Sequence, residues 1–130
     1  MEYGIVVHGP SCDANGAAVL AYQYQVPWSV RQTSVQLGGL PPINTFLSWS
    51  GDCLALSAFK FSEETGDIIA RWFNYSQEEQ KLGITCDFAQ SAYLGNILEE
   101  RRVPLAIDDG HLDVTVSASE IITIAIPKNS

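Results

Sequence analysis

Residues 53–61 (CLALSAFKF), the turn Glu63-Glu64-Thr65-Gly66 and residues 67–75 (DIIARWFNY) form the stretch that decides the fold. Two apolar runs rich in aliphatic and aromatic residues, reversed by a short polar segment with one glycine, make an antiparallel hairpin. Further along, Lys81 to Phe88 reads as a strand. Residues 103–107 (VPLAI), the turn Asp108-Asp109-Gly110, residues 111–117 (HLDVTVS) and residues 120–126 (EIITIAI) read as a meander. Upstream, residues 3–8 (YGIVVH) and 17–26 (AAVLAYQYQV) read as strands around a loop with Gly9, Pro10, Asn15 and Gly16, and Val30 to Leu37 as a weaker one. No apolar i, i+3, i+4, i+7 pattern persists for three turns. Residues 91–100 (SAYLGNILEE) have helical propensity that Gly95 weakens, so this segment stays open. Short strands at this spacing predict an all-β fold, an antiparallel β-sandwich. No repeat or linker divides residues 1–130, so one domain is expected. Gly38-Gly39-Leu40-Pro41-Pro42 is read as carrying the chain across the sandwich.

Seven basic against fifteen acidic residues give a formal net charge of −8. Such a surface repels phosphate backbones and anionic membranes, which argues against a nucleic-acid or membrane partner. No apolar run approaches the ~20 residues of a membrane span, and Met1-Glu2-Tyr3-Gly4 does not begin a secretory leader. Cys12, Cys53 and Cys86 cannot all pair, and their spacing matches neither a disulfide framework nor a zinc pattern. A reducing cytoplasm is the expected compartment. With only 17% charged residues, part of the surface is expected to be covered by something else.

Catalytic constellations are scarce. Only His8 and His111 could serve a nucleophile as base, and neither lies in a nucleophile motif; both read as strand-end or surface residues. His8 with Cys12 is the one close His/Cys pair, and no metal site is expected. Glycosidic cleavage uses two facing carboxylates, whereas Glu63-Glu64 and Asp108-Asp109 sit where hairpins reverse, where polar residues serve the turn. Glu99-Glu100-Arg101-Arg102 reads as a solvated cluster with the means to dock against a neighbour. Trp72 alternates into a strand core. Trp28 and Trp49 are the candidates for stacking on sugar rings, the basis of an alternative reading as an independent carbohydrate-binding module. A protein-interaction domain with no sugar role is a third reading. Asn74-Tyr75-Ser76 matches a glycosylation sequon, silent in a cytoplasmic protein.

Four stretches, taken in order, resemble the C-terminal β-domain of family 38 glycoside hydrolases, the α-mannosidase family. They are Leu56-Ser57-Ala58-Phe59-Lys60, Arg71-Trp72-Phe73-Asn74, Asn96-Ile97-Leu98-Glu99 and Ser119-Glu120-Ile121-Ile122-Thr123-Ile124. Tyr3 to His8 and Gln25-Val26-Pro27-Trp28 resemble segments leading into that domain more weakly. The resemblance implies a non-catalytic domain of an enzyme that hydrolyses α-mannosidic bonds. It also implies that zinc or another divalent metal and the aspartate nucleophile reside in a catalytic barrel of the same polypeptide, with no counterpart in these residues. A chain starting at Met1 inside the family pattern is expected to be an excised piece rather than a truncated or split gene product. Arg71, Asn74 and Glu99 are the candidates for the contact with the barrel, Arg71 holding a carboxylate such as Glu99 or backbone carbonyls. An internal ion pair of the sheet is the alternative for the same residues.

Overall fold

In a computed structural model, residues 4, 5, 7, 17–26, 29–35, 37–39 and 41–128 are described. The chain divides into two units, Met1–Thr45 and Phe46–Ser130. The first holds helix α1, Ala17–Gln25. The second holds eight strands: β1 Ser48–Ser50, β2 Leu54–Phe61, β3 Ile68–Asn74, β4 Gln80–Thr85, β5 Ala92–Gly95, β6 Arg101–Leu105, β7 His111–Val116 and β8 Ile121–Ile126. They form two antiparallel sheets, a larger one ordered β2-β3-β8-β5-β6 and a smaller one ordered β1-β4-β7. The all-β sandwich read from the sequence is the observed architecture.

The deciding hairpin is β2–β3, in register from Leu54↔Asn74 to Phe61↔Ile68 with a bulge between Leu56 and Ala58. Ser62 N–H donates to the Asp67 carbonyl at 2.7 Å, and Gly66, at φ 72°, lets the chain turn back without a Cβ penalty. Alternation along β3 sends Ala70 and Trp72 inward, where they join Leu82, Ile84, Leu112, Val116, Ile122, Ile124 and Ile126 in one core. Trp72 is fully buried and meets Trp49 edge-to-face, with ring centroids 6.3 Å apart.

Several sequence expectations are corrected. Residues 17–25 are helical, because alanine, leucine and glutamine dominate a run whose two tyrosines suggested a strand. Residues 4, 5 and 7 and residues 30–35 and 37 carry no strand; the rest of those two runs lies outside the described residues. The last strands are not a meander. β7 pairs with β4 in the smaller sheet, while β8 enters the larger one between β3 and β5. Burial accords with this: Ile122 to Ile126 are all buried, as on a strand covered on both faces of its sheet, whereas β7 alternates like a strand with one solvated face. The open segment at 91–100 contains β5 and a tight turn instead of a helix.

Asp109 and Gly110, at φ 46° and 75°, make a two-residue turn closed by reciprocal Asp108–His111 backbone hydrogen bonds of 2.8 Å. A Cβ at Gly110 would lie 3.1 Å from the Cys86 carbonyl oxygen. Gly110→Ala is therefore expected to cost about 1–2 kcal/mol, read as a lower urea midpoint with unchanged slope.

Candidate functional site

The outer face of the larger sheet carries the polar side chains that its core face excludes. There the β5–β6 turn, residues 96–100, crosses towards β3 and β2 as a strap. Asn96 builds it: its Oδ1 accepts the Glu100 N–H at 3.0 Å and its Nδ2 donates to Glu100 Oε2 at 2.7 Å, while Glu99 N–H donates to the Asn96 carbonyl at 3.0 Å. Glu99 adopts φ 68°, a left-handed conformation that side chains seldom take.

Two cations clasp the strap. Lys60 Nζ lies 2.8 Å from Glu99 Oε1 and Arg71 Nη2 lies 3.5 Å from the same oxygen. Arg71 also donates from Nη2 to the Ile97 carbonyl at 3.1 Å and from Nε to Thr123 Oγ1 at 3.0 Å. Lys60, with Arg71 behind it, holds the Glu99 carboxyl below its ordinary pKa. A cleft of about 290 Å³ between strap and hairpin is lined by Lys60, Ser62, Glu63, Glu64, Leu98 and Glu99, among others. On the strap's crest Ile97 and Leu98 remain 59% and 71% exposed. Residues from all four stretches quoted above therefore meet in one network: Lys60, Arg71, Asn96 with Glu99, and Thr123.

Asn74 belongs elsewhere. It is buried, its Nδ2 donating to the carbonyls of Glu78 at 2.7 Å, Ser117 at 2.9 Å and Val116 at 3.3 Å, and its Oδ1 accepting from Ser76 N–H and Oγ. It ties the β3–β4 turn to the end of β7, uniting the two sheets. A side chain so enclosed has no amide free for a glycan. Near the other end of β3, buried Asp67 takes a bidentate grip from Arg101, Nε to Oδ2 at 2.7 Å and Nη2 to Oδ1 at 2.6 Å, with Arg101 5.3 Å from the centre of the Tyr93 ring. Arg101 had read as part of a solvated cluster. That reading missed Asp67, because a lone aspartate between a turn and a strand gives no sign of its partner 34 residues away.

Trp49 keeps 36% of its surface exposed while its ring packs on Trp72; Trp28, His8 and Cys12 lie outside the described residues. Burial pushes the Cys86 thiol pKa up, the reverse of what a nucleophile needs. Among the described residues no three His, Cys, Asp or Glu side chains gather where a metal ion could be held. No helix among them is long and apolar enough to cross a membrane.

Against known proteins, the description "Glycosyl hydrolases family 38 C-terminal beta sandwich domain" matches residues 54–124. A protein of Halalkalibacterium halodurans named "Putative mannosylglycerate hydrolase" is 32% identical over 106 residues, which are 82% of this chain but 12% of that protein. The chain thus spans about an eighth of that relative's length. No solved structure matches.

Proposed function

The chain belongs to the C-terminal β-sandwich domains of family 38 glycosyl hydrolases, and from that premise we propose that it is a non-catalytic piece of a larger glycosidase, packed on the catalytic barrel of the same polypeptide. The parent hydrolyses α-mannosidic bonds, with mannosylglycerate as one candidate substrate by similarity to the relative's name. The reaction's acid, nucleophile and divalent metal, zinc or another, belong to the barrel. The described residues here do not offer a donor set for that metal, and no step is assigned to them. The cytoplasm is the proposed compartment.

The clasped strap is the observation that carries this reading. Lys60, Arg71, Glu99 and Thr123 hold an irregular turn rigidly over the sheet and leave Ile97 and Leu98 facing outward. An apolar crest on a rigid polar base suits a contact between domains better than it suits a solvated loop. The cleft beside it is acidic and offers no aromatic platform for a sugar ring.

Arg71→Ala in the full-length enzyme tests the proposal. It removes the donor to Thr123 and to the Ile97 carbonyl, so about 1–3 kcal/mol of strap stability goes with it. Weaker association of the sandwich with the barrel and reduced mannoside hydrolysis are expected. Unchanged association together with unchanged activity would reduce the cluster to an internal ion pair of the sheet. Oligosaccharide binding by the isolated chain, lost in Trp49→Ala, would favour the carbohydrate-binding module instead.

A further inference from the structure

The larger sheet ends in two unlike edges, β6 and β2. β6 carries Arg101, Arg102 and Pro104, two charges and a missing donor that deter a further strand. β2 has no proline and one charge, Lys60, whose ammonium is drawn to Glu99. Its two halves differ. Leu54 and Ala55 are buried, whereas Phe59 and Phe61 keep 45% and 63% of their surface exposed. Register shows what is unusual in that exposure: Phe59 stands beside Ala70 and Phe61 beside Ile68, and both neighbours pack on the core side of the sheet. The same two residues hold the outward main-chain groups of the edge. Ser62 N–H donates across the hairpin to the Asp67 carbonyl, and backbone groups alternate along an antiparallel strand. Lys60 and Ala58 therefore face β3, while the N–H and C=O of Phe59 and Phe61 face away from it. Among the described residues no strand pairs with them on that side.

We infer that this edge receives a strand from the part of the parent polypeptide outside the present chain, an extended segment with apolar residues at alternate positions that continues the larger sheet beyond β2. Main-chain hydrogen bonds to Phe59 and Phe61 hold the segment, and its alternate side chains cover the two exposed rings on the core side. The inference rests on the reading of the chain as a piece of a larger glycosidase, and it adds to the strap a second attachment. Three observations favour this occupant. The chain spans about an eighth of the Halalkalibacterium halodurans protein, so by similarity most of the parent lies outside it. The edge is continuous with the strap, because Lys60, between the two phenylalanines, is the residue that clasps Glu99. A second copy of β2 fits worse: the antiparallel register that pairs Phe59 with Phe61 of the copy sets Lys60 opposite Lys60, and like charges facing one another across a pair are destabilising.

Amide hydrogen exchange in the full-length enzyme tests the inference. Phe59 and Phe61 are expected to exchange within about tenfold of Lys60, whose N–H already lies in the β2–β3 ladder. A benzophenone photoprobe at position 61 is expected to crosslink, within one polypeptide, to a single stretch outside residues 1–130. Phe59→Lys combined with Phe61→Lys removes the protection at both amides and leaves Lys60 slow, which shows that the sandwich itself still folds. Fast exchange at Phe59 and Phe61 in an enzyme whose sandwich stays on the barrel overturns the edge pairing and leaves the accessory reading standing. A sandwich that does not associate with the barrel overturns both. Crosslinks between two polypeptides overturn this occupant in favour of a second copy.

Discussion

Arg101→Ala will lower the unfolding free energy of the sandwich by about 1–3 kcal/mol, because it leaves the buried carboxylate of Asp67 without its guanidinium, a cost moderated by the water that enters the space Arg101 vacates. The Asp67 side chain is 2% exposed and the Arg101 side chain 40%. This difference predicts an asymmetry. Asp67→Ala leaves a guanidinium that can turn to solvent, so it will cost less than Arg101→Ala, and chemical denaturation of both variants beside the wild type reads the order directly. Acid provides a second check. In the wild type the two Arg101 hydrogen bonds hold the Asp67 carboxyl below its ordinary pKa against the upward push of burial. A depressed folded value means that the stabilisation is complete above the unfolded pKa of about 3.9 and is lost as pH falls through the folded one. With Arg101 gone, burial outweighs the remaining hydrogen bond with Thr65, the folded value rises, and the variant becomes relatively more stable as pH falls through it. Opposite slopes of stability against pH between about 3 and 6 are expected. Parallel slopes would mean that the pair does not set the Asp67 charge.

Asn74→Ala is expected to cost about 2–4 kcal/mol. One amide serves the carbonyls of Glu78, Val116 and Ser117 and receives two donors from Ser76. Each enclosed carbonyl left without its donor costs about 1–3 kcal/mol, moderated where water can enter beside the turn. The loss differs in kind from that of the Arg71 variant. Asn74 lies where β3 leaves the larger sheet and β7 ends in the smaller one, so its removal loosens sheet from sheet. Amide exchange should accelerate at Ser76 to Gln80 and at Val116 to Ser117 ahead of the β2–β3 ladder. Uniform acceleration over both sheets would contradict this placement.

These two residues mark where the sequence is legible and where it is not. The hairpin at 53–75, the strands of β4, β7 and β8 and the Asp-Gly turn at 109–110 follow from alternation and turn chemistry, which are local. Sheet membership is not local. The alternation in HLDVTV says that β7 is half-buried and is silent on which sheet receives it. Arg71 with Glu99 is legible as a complementary pair on matching stretches. Lys60 and Thr123 acquire meaning only when register brings them under the same strap. Asn74 reads as a companion of Arg71 three positions away, yet the odd spacing turns its side chain to the opposite face of β3. The helix at 17–25 shows that aromatic residues alone do not make a strand when their neighbours are alanine and glutamine.

The position of β8 has a consequence for biosynthesis. Last of the strands in sequence, it lies in the middle of the larger sheet, hydrogen-bonded to β3 on one side and β5 on the other. As the nascent chain leaves the ribosome, the β2–β3 and β5–β6 hairpins can form early, but each keeps an unsatisfied apolar edge until residues 121–126 have emerged to join them. During that interval the two hairpins are exposed to pairing with other chains, and a holding chaperone would find its target there. A stalled chain ending before Ile121 would be a substrate for quality control, because the gap that β8 fills between β3 and β5 would stay open.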